Sequence, residues 1–225
     1  MSAAPASGFV LTVSGLKREA RIAAGEGVRP IAAGGSRLVG LIEAAIGDGA
    51  RGILSFGIAG GLDAGLRPGD VILATAITAG VERWPVDAAW RARLAARLPD
   101  SRAGNLAGAD MPVLSPAAKQ TLAATGALAV DMESHIAARL AAAHGLAFAA
   151  LRIVCDPADR AIPPAAIAGM REDGGTDLGA ILRALLSAPG QLPALFRLAG
   201  EARAAFAALD RCRHSLGAEL QPPRA

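Results

Sequence analysis

The hydrophobic positions of this chain fall into short continuous runs separated by stretches with a different period. Apolar runs occupy residues 9–14, 52–56, 71–76, 127–130 and 147–154, and a further short one lies within residues 104–113. Runs of this length, bounded by glycine or acidic residues, are typical of strands that are buried on both faces of a sheet. We therefore predict a strand for each of them.

The stretches between these runs have apolar residues at helical spacing. Helices are predicted over residues 38–46, 88–97 and 134–144, and a further helix begins at Ser115. Pro116 supports that start, because proline is favoured in the first turn of a helix. Strands that alternate with helices predict a doubly wound or related α/β sheet.

The pattern changes after Asp159. Prolines at positions 163 and 164 and glycines at 174 and 175 predict a loop, which precedes two predicted helices over residues 178–186 and 192–209. We expect these helices to pack on the core, and an oligomer contact or a membrane surface are the alternatives. Since no internal repeat or linker divides the chain, we predict one domain over residues 1–225.

Composition narrows the class of protein. The 225 residues are 52% hydrophobic and 19% charged, which is typical of a globular chain with one sizeable core. The net charge is +3, and the arginines form no basic run with aromatic residues, so nucleic acid is not expected as a partner. Cys155 and Cys212 lack the spacing of a zinc site, which favours a reduced, cytoplasmic chain without a metal. Residues 1–7 lack the features of a signal peptide. Since every apolar stretch of about 20 residues is interrupted by a charge or a proline, no membrane span is predicted.

Polar or glycine-rich segments follow four of the predicted strands. These segments are residues 15–19, 57–62, 131–133 and 155–159. Open α/β sheets bind their ligands in the crevice beyond the carboxyl ends of the strands. The four segments therefore predict a binding site at one edge of the sheet.

Each acidic candidate in these segments has a second interpretation. Asp156 at a strand end is placed to be a desolvated general acid, but followed by Pro157 it also fits a helix cap. Glu133 could instead be a charge that favours the start of a helix. Glu19 could be a solvated residue in the first turn of a helix.

The other candidates are weaker still. The glycines of residues 57–61 fit either a phosphate or sugar loop or a tight strand-to-helix turn. His135 and His144 are nine residues apart on one predicted helix, so they do not share a face as metal ligands would. Cys155 is expected to be a small core thiol, because no histidine lies near it in the sequence.

Five motifs, in this order and spacing, resemble the nucleoside phosphorylase and nucleosidase superfamily. They are Gly-Leu-Lys-Arg-Glu (15–19), Gly-Ile-Ala-Gly-Gly-Leu (57–62), Gly-Asp-Val (69–71), Val-Asp-Met-Glu-Ser (130–134) and Arg-Ile-Val-Cys-Asp-Pro-Ala-Asp (152–159). The branch they resemble is that of the methylthioadenosine/S-adenosylhomocysteine nucleosidases. The resemblance implies a single three-layer α/β/α domain with a central mixed sheet, cleavage of the N-glycosidic bond of a purine nucleoside, and a homo-oligomer, with a dimer favoured. It implies no cofactor, although inorganic phosphate is a candidate co-substrate.

The resemblance also implies roles for individual residues. Asp156 matches the aspartate that protonates, or hydrogen-bonds to, purine N7 as the base leaves. Glu19 matches the glutamate that orients the attacking water, and Glu133 matches the residue that holds the ribose hydroxyls. The substrate-binding residues implied in the same way are Met132 beside the ribose, Gly60 and Gly61 beside the sugar and nucleophile, and Met111 and Val113 in the loop that packs on the base.

Two departures from the family favour water over phosphate as the acceptor. Ile58 stands where the family often has a hydroxyl residue, and no arginine flanks Gly57 in the sequence. Glu19 in the nucleophile pocket would also repel phosphate. The basic residues of the segment 17–21 keep phosphorolysis open.

The C-terminal part resembles the hopanoid-associated phosphorylase group. The motifs are Ile-Pro-Pro (162–164), Asp-Gly (173–174) and Ala-Pro-Gly-Gln-Leu-Pro-Ala-Leu (188–195). Members of that group are thought to remove adenine from adenosylhopane, so the resemblance implies a lipid-linked nucleoside and a peripheral position at the inner membrane face. The short segment 78–90 predicts an open 5′ side that admits a bulky group. A non-catalytic nucleoside- or lipid-binding module with the same fold is the alternative from another class.

Overall fold

A computed structural model of the chain describes residues 8–169, 171 and 173–222. The prediction for residues 1–7 lies outside the described residues. The strands are β1 (Phe9–Ser14), β2 (Val28–Ala32), β3 (Ala50–Gly61), β4 (Val71–Ala79), β5 (Glu82–Pro85), β6 (Arg102–Gly108), β7 (Ala127–Asp131) and β8 (Ala147–Asp156).

The strands form one mixed sheet that closes on itself in its centre. Its order is β2-β1-β3-β7-β6-β4-β5, and β8 pairs in parallel with β3 and antiparallel with β4. The strands β3, β7, β6, β4 and β8 therefore form a closed ring of paired strands. Within this ring the two long strands β3 and β8 pair in parallel over most of their length.

Helices cover both faces of the sheet. They are α1 (Lys17–Ala23), α2 (Gly35–Gly47), α3 (Ala88–Arg97), α4 (Pro116–Ala123), α5 (Ser134–Ala143), α6 (Pro164–Ala168), α7 (Leu178–Ser187) and α8 (Leu192–Leu216). One buried cluster joins α2 and α5 to the sheet, and a second joins α1, α3 and α8 to its other face. The predicted three-layer α/β/α fold with a mixed sheet is confirmed.

Every predicted strand and helix is present, and several extend further than the sequence pattern indicated. Elements that the pattern did not predict are β2, β5, α1 and α6. Pro30 interrupts the apolar pattern of β2, and a proline is tolerated there because β2 is an edge strand that pairs only with β1. β5 has four residues, none of them buried, so its pattern carries no strand signal.

The prediction of a loop or a strand-to-helix turn over residues 57–61 is wrong. This segment is the second half of β3, which pairs with β8 as far as Gly60 and with β7 at Gly60 and Gly61. Pairing with β8, and with β7 at its end, holds this backbone extended, so the glycines serve close packing rather than a turn.

The two C-terminal helices differ in burial. The second half of α8 packs on the core through residues that include Phe206, Leu209 and Cys212, whereas α7 has no buried residue. Within the described part of the chain, no single helix is long and apolar enough to span a membrane. The two helices of residues 178–216 are together long and apolar enough, but the chain bends by 117° at the break between them.

Candidate active site

Glu19 is buried at the carboxyl end of β1. Its two carboxylate oxygens accept hydrogen bonds from the backbone N–H groups of Leu16 and Ile58, each at 2.7 Å. The first bond closes the N-terminus of α1, and the second joins α1 to β3. Since Glu19 is only 2% exposed, the alternative of a solvated first-turn residue is wrong.

Arg152 is a fully buried arginine in the middle of β8. Its guanidinium donates to the carboxylate of Asp131 at 3.0 Å and to the hydroxyl of Ser55 at 2.6 Å, and it lies 3.5 Å from the carboxylate of Glu133. A buried arginine requires such partners, because an unpaired charge in the interior is strongly unfavourable. Arg152 therefore links residues of β3, β7 and α5 to one charge.

Asp131, rather than Glu133, caps helix α5. Its carboxylate accepts hydrogen bonds from the backbone N–H groups of Glu133 at 2.9 Å and of Ser134 at 2.6 Å. The Glu133 side chain makes no capping bond and turns instead towards Arg152 and Gly15. A Cβ atom at position 15 would lie only 2.5 Å from the Glu133 carboxylate, so glycine there gives this side chain its room.

Gly57 lets the backbone of β3 pass against the two charged groups. A Cβ atom at this position would lie 2.5 Å from a carboxylate oxygen of Glu19 and 2.5 Å from the Arg152 guanidinium. Glu19 and Glu133 thus lie around Arg152, next to Gly57 of β3, and we call these three residues the charged cluster.

Burial raises the pKa of both glutamates in the charged cluster. Desolvation raises the pKa of Glu133 to about 8, against the opposing effect of the Arg152 guanidinium. Desolvation also raises the pKa of Glu19, and Arg152 with the two backbone N–H groups opposes the rise. A carboxylate with a raised pKa is a better proton acceptor near neutral pH.

Asp156 forms a buried ion pair with Lys119 of α4. The Lys119 ammonium lies 2.5 Å from one carboxylate oxygen and also donates to the carbonyl groups of Pro157 at 2.7 Å and Arg160 at 3.0 Å. The interpretation of Asp156 as a helix cap is wrong, because the next described helix begins only at Pro164. Burial raises the pKa of Asp156, and the Lys119 ammonium opposes this rise.

The charged cluster and Asp156 lie along the carboxyl-terminal halves of the paired strands β3 and β8. Gly60 pairs with Asp156, and a Cβ at Gly60 would lie 3.3 Å from its carboxylate. Gly57 and Gly60 are three residues apart, which is about 10 Å along a strand. This separation places two groups of buried charged side chains along the same pair of strands.

Of the remaining predicted substrate-binding residues, three are at least partly buried and one is exposed. Gly61 lies beside Gly60 in β3, and Met132 is half-buried between Asp131 and Glu133. Val113 is partly buried against the cluster that contains Leu62. Met111 has 73% of its surface exposed, so its side chain is not gathered with the others.

Sequence reasoning missed five residues that build the site. They are Arg152, Asp131, Ser55, Ser134 and Lys119, all of them buried. One signal was present for Arg152, because a single charge inside a continuous apolar strand must find buried partners. Lys119 carried no local signal, since its partner lies 37 residues further along the chain.

The basic residues that kept phosphorolysis open are engaged elsewhere. Lys17 pairs with Asp173 at 2.6 Å, Arg18 stacks on the ring of Phe206, and Arg21 bonds to the backbone of its own helix. Arg152 is the arginine that lies against Gly57, and its charge is already matched by Asp131.

Three other candidates have ordinary structural surroundings. Cys155 is buried, and desolvation raises its pKa to about 12, so it is the core thiol that we expected. His135 pairs with Asp110 at 3.0 Å, and His144 pairs with a glutamate of α2. A concavity of about 660 Å³ lies beside His135 on α5, but none of the candidate catalytic residues lines it.

Comparison with known proteins agrees with this architecture. The sequence profile of the phosphorylase superfamily matches residues 22–187. No curated protein matches the chain.

Similar solved structures include an S-adenosylhomocysteine nucleosidase from Streptococcus pyogenes in complex with 5-methylthiotubericidin, at 17% identity and a TM-score of 0.60 over 70% of this chain and 87% of that one. A futalosine hydrolase mutant from Helicobacter pylori has 16% identity and a TM-score of 0.61 over 68% and 90%. A structure described as a putative methylthioadenosine nucleosidase from Weissella paramesenteroides has 16% identity and a TM-score of 0.59 over 91% and 98%. Because the family profile covers well over half of the sequence, the chain belongs to the phosphorylase superfamily.

Proposed function

We propose that this protein hydrolyses the N-glycosidic bond of an adenine nucleoside. The observation that carries the proposal is that acidic side chains lie at two places along the carboxyl-terminal halves of β3 and β8. Glu19 and Glu133 lie at Arg152, and Asp156 lies about 10 Å away along the strands. Similar structures are named as nucleosidases and a futalosine hydrolase, which supports the same type of reaction here.

The chemistry assigns one task to each carboxyl group. Cleavage of the bond between C1′ and N9 builds positive charge on the ribose and negative charge on the purine. Asp156 stabilises the leaving base at N7, as proton donor or hydrogen-bond partner, and Glu133 binds the ribose hydroxyls. Glu19, held by two backbone N–H groups, accepts a proton from the water that attacks C1′. General acid–base help of this kind contributes about 10²–10⁴-fold to the rate.

The charge of the site favours water over phosphate as the acceptor. The Arg152 guanidinium is neutralised by Asp131 and has Glu133 beside it, so Arg152 offers no unmatched positive charge to a phosphate dianion. Glu19 lies against the same glycine as Arg152 and adds a further carboxyl group.

A phosphate dependence assay tests this assignment. The rate of adenine release is expected to be the same in phosphate-free buffer and in millimolar phosphate, with a sugar product that carries a hydroxyl group at C1′. A rate that requires phosphate, with a sugar product that carries a phosphate at C1′, would establish phosphorolysis instead.

For the 5′ group of the substrate we propose a bulky lipid, as in adenosylhopane. The support is that β4 and β5 are joined by a two-residue turn at positions 80 and 81, so this hairpin adds little cover. Turnover of adenosylhopane should therefore exceed that of methylthioadenosine in a competition assay. Equal or faster turnover of methylthioadenosine would assign the chain to the methylthioadenosine/S-adenosylhomocysteine nucleosidases.

Asp156→Asn distinguishes an enzyme from a nucleoside- or lipid-binding module. The variant should bind the nucleoside but release adenine at least about a hundredfold more slowly than the wild type. Adenine release at the wild-type rate would remove Asp156 from the mechanism. A dimer and a cytoplasmic location stay predictions, and light scattering tests the first of them.

A further inference from the structure

Lys119 is a fully buried lysine whose ammonium group is surrounded by oxygen atoms. The ammonium lies 2.5 Å from Oδ2 of Asp156 and donates to the backbone carbonyls of Pro157 at 2.7 Å and Arg160 at 3.0 Å. An ammonium group has three N–H donors. The three contacts use all of them, so they fix the end of this side chain in one position.

Lysine suits this position in a way that arginine would not. Of the 23 lysine and arginine residues of the chain, only Lys17 and Lys119 are lysines. The donors of an ammonium group point in three directions from one nitrogen atom, whereas those of a guanidinium group lie in one plane. The three oxygen atoms around Lys119 belong to one side chain and two separate carbonyl groups, and they meet at a single nitrogen.

Stability alone does not account for this burial. Lys119 is the buried residue of α4, and the other residues of this helix are exposed or half-buried. The loss of hydration of two buried ions often offsets their attraction, and apolar side chains of similar size would stabilise a fold as well or better. A helix that turns a charge inward as its buried residue therefore indicates a task for that charge.

Lys119 engages one of the two oxygens of the Asp156 carboxylate. Among the described residues, no other side chain donates a hydrogen bond to this carboxylate. On the side of Gly60 the carboxylate meets a residue without a side chain, where a Cβ atom would lie 3.3 Å from Oδ2 and 3.6 Å from Oδ1. The second oxygen, Oδ1, therefore remains available for a hydrogen bond to a ligand.

Backbone contacts hold α4 against the segment that follows β8. The N–H of Ile162 donates to the carbonyl of Leu114 at 2.9 Å, just before α4 begins, and the N–H of Arg160 donates to the carbonyl of Pro157 at 3.1 Å. The loop before Leu114 contains Val113, which the family resemblance assigns to the base. The element that carries Lys119 thus connects this loop to Asp156.

The other charged groups near Asp156 lie on different elements. Glu201 of α8 interacts electrostatically with Asp156, Lys119 and Arg160, and the Cys155 thiol precedes Asp156 in β8. Burial raises the pKa of Asp156, and the Lys119 ammonium opposes this rise. A general acid is most effective when its pKa lies near the working pH, so that the proton is held but can still be given up.

We propose that Lys119 is a positioning residue for cleavage of the N-glycosidic bond. It holds Oδ2 of Asp156, so that Oδ1 presents a proton to N7 of the base, and it stabilises the carboxylate that remains after the transfer. This inference rests on the proposed function and gives Asp156 the part of proton donor.

The proposed step balances without a proton from Lys119. The proton of Asp156 moves to N7 while the electron pair of the C1′–N9 bond passes to the purine. Water supplies the hydroxyl group at C1′ and gives its proton to Glu19. Lys119 keeps its protons throughout and acts by its charge and its three hydrogen bonds.

The test compares adenine release by the wild type, Lys119→Met, Asp156→Asn and the double variant. The substrate is whichever of adenosylhopane and methylthioadenosine the wild type turns over faster. Lys119→Met should lower kcat at least about tenfold, with little change in KM, because Lys119 does not touch the substrate. In the Asp156→Asn background the same substitution should lower kcat by no more than about twofold, because Lys119 acts through Asp156.

The pH profile of kcat is a readout that a merely structural residue would not move. Protonated Asp156 is the active form, so the rate falls as the pH rises through its pKa. Loss of the Lys119 charge raises that pKa further, and the high-pH limb should therefore move to higher pH in Lys119→Met. Glu201 and Arg160 are the same in both proteins, so the difference reports Lys119.

Leu209→Ala is the matched control for lost stability. Leu209 is fully buried in α8 outside the candidate active site, so its truncation leaves a cavity and destabilises the fold. It should leave kcat and the pH profile unaltered. Lys119→Gln keeps a hydrogen-bond donor without the charge and takes the place of Lys119→Met if that variant does not fold. Circular dichroism verifies the folding of each variant.

Several results would overturn this inference while the proposed function stands. They are a Lys119 variant with the wild-type kcat, a loss of rate that is as large in the Asp156→Asn background, and an unshifted pH profile. Failure of both Lys119 variants to fold would assign this lysine to the fold alone. A wild type that releases no adenine from either nucleoside would instead overturn the proposed function, and this inference with it.

Discussion

Glu133 shows how burial and one neighbouring charge set the behaviour of a single residue. Its carboxyl group is removed from water, which raises its pKa to about 8, although Arg152 lies 3.5 Å away. The ordinary pKa of this group is about 4.5. Between these two pH values the folded protein holds a proton that the unfolded chain has released. The stability that this group contributes is therefore lost as the pH rises through this window.

Replacement of Glu133 by glutamine should flatten the pH dependence of stability. In the wild type, the free energy of unfolding should fall between about pH 5 and pH 8, with Glu133 contributing at most about 1.4 kcal/mol per pH unit. Glu133→Gln removes that contribution, because the amide does not titrate. Urea unfolding at several pH values measures both slopes, and identical slopes would show that the Glu133 pKa is ordinary.

Lys119 acts at the same scale through the three hydrogen bonds of its ammonium group. Lys119→Met should destabilise the protein by about 3–5 kcal/mol, because it leaves the Asp156 carboxylate buried without its counter-charge. The double variant Lys119→Met/Asp156→Asn should be more stable than Lys119→Met alone, since the buried charge is then gone. Denaturant unfolding of the two single variants and the double variant measures this coupling, and additive effects would exclude it.

At the scale of elements, strand β3 positions the site because its glycines have no side chains and so leave space for charged groups. Gly57 admits the Glu19 carboxylate and the Arg152 guanidinium to its empty side, and Gly60 admits Asp156. The same strand carries Ser55, which accepts a hydrogen bond from Arg152. β3 is therefore the element on which the two halves of the site are assembled.

Alanine at position 57 should test this function of β3. Gly57→Ala places a methyl group 2.5 Å from both charged groups and should destabilise the fold by about 1–3 kcal/mol while disturbing adenine release. The matched control is Gly40→Ala in α2, where nothing lies within 4 Å of the new methyl group. That change should stabilise the protein by about 0.5–1 kcal/mol, because alanine suits a helix interior better than glycine. Thermal unfolding compares the two, and equal shifts would contradict the close packing at Gly57.

At the scale of the whole molecule, the C-terminal helices divide into a part that holds the fold and a part that does not. The second half of α8 lies in the same buried cluster as β8 and α3, whereas α7 and the start of α8 expose their leucines. A large apolar surface left exposed on a folded chain is typical of an interaction site.

This division predicts opposite outcomes for the same substitution. Leu209→Ala should lower the free energy of unfolding by about 2–5 kcal/mol, because Leu209 is fully buried and a cavity remains. Leu186→Ala should change it by no more than about 0.5 kcal/mol, since 76% of Leu186 is exposed. Chemical denaturation measures both, and a large effect at Leu186 would place α7 in the cooperative core.

Most of the fold was predictable because local signals agree with it. The strands of residues 9–14 and 147–154 are continuous apolar runs, and α4 begins at Ser115 and Pro116 as a helix start should. β5 and α6 were not predictable, because elements of four or five residues carry too short a pattern. The glycines of β3 fit a loop or a turn in the sequence, since glycine in a sequence signals flexibility and not the close approach that it permits here.

The sequence by itself determined the alternation of strands and helices and the acidic residues at the strand ends, because both follow from patterns that are local in the chain. Only the tertiary structure decided what those acidic residues touch. Glu19 meets Ile58 across 39 positions, and Asp156 meets Lys119 across 37. Such contacts arise when distant elements pack around a buried charge, and the residues next to that charge in the sequence do not say which distant partner will meet it.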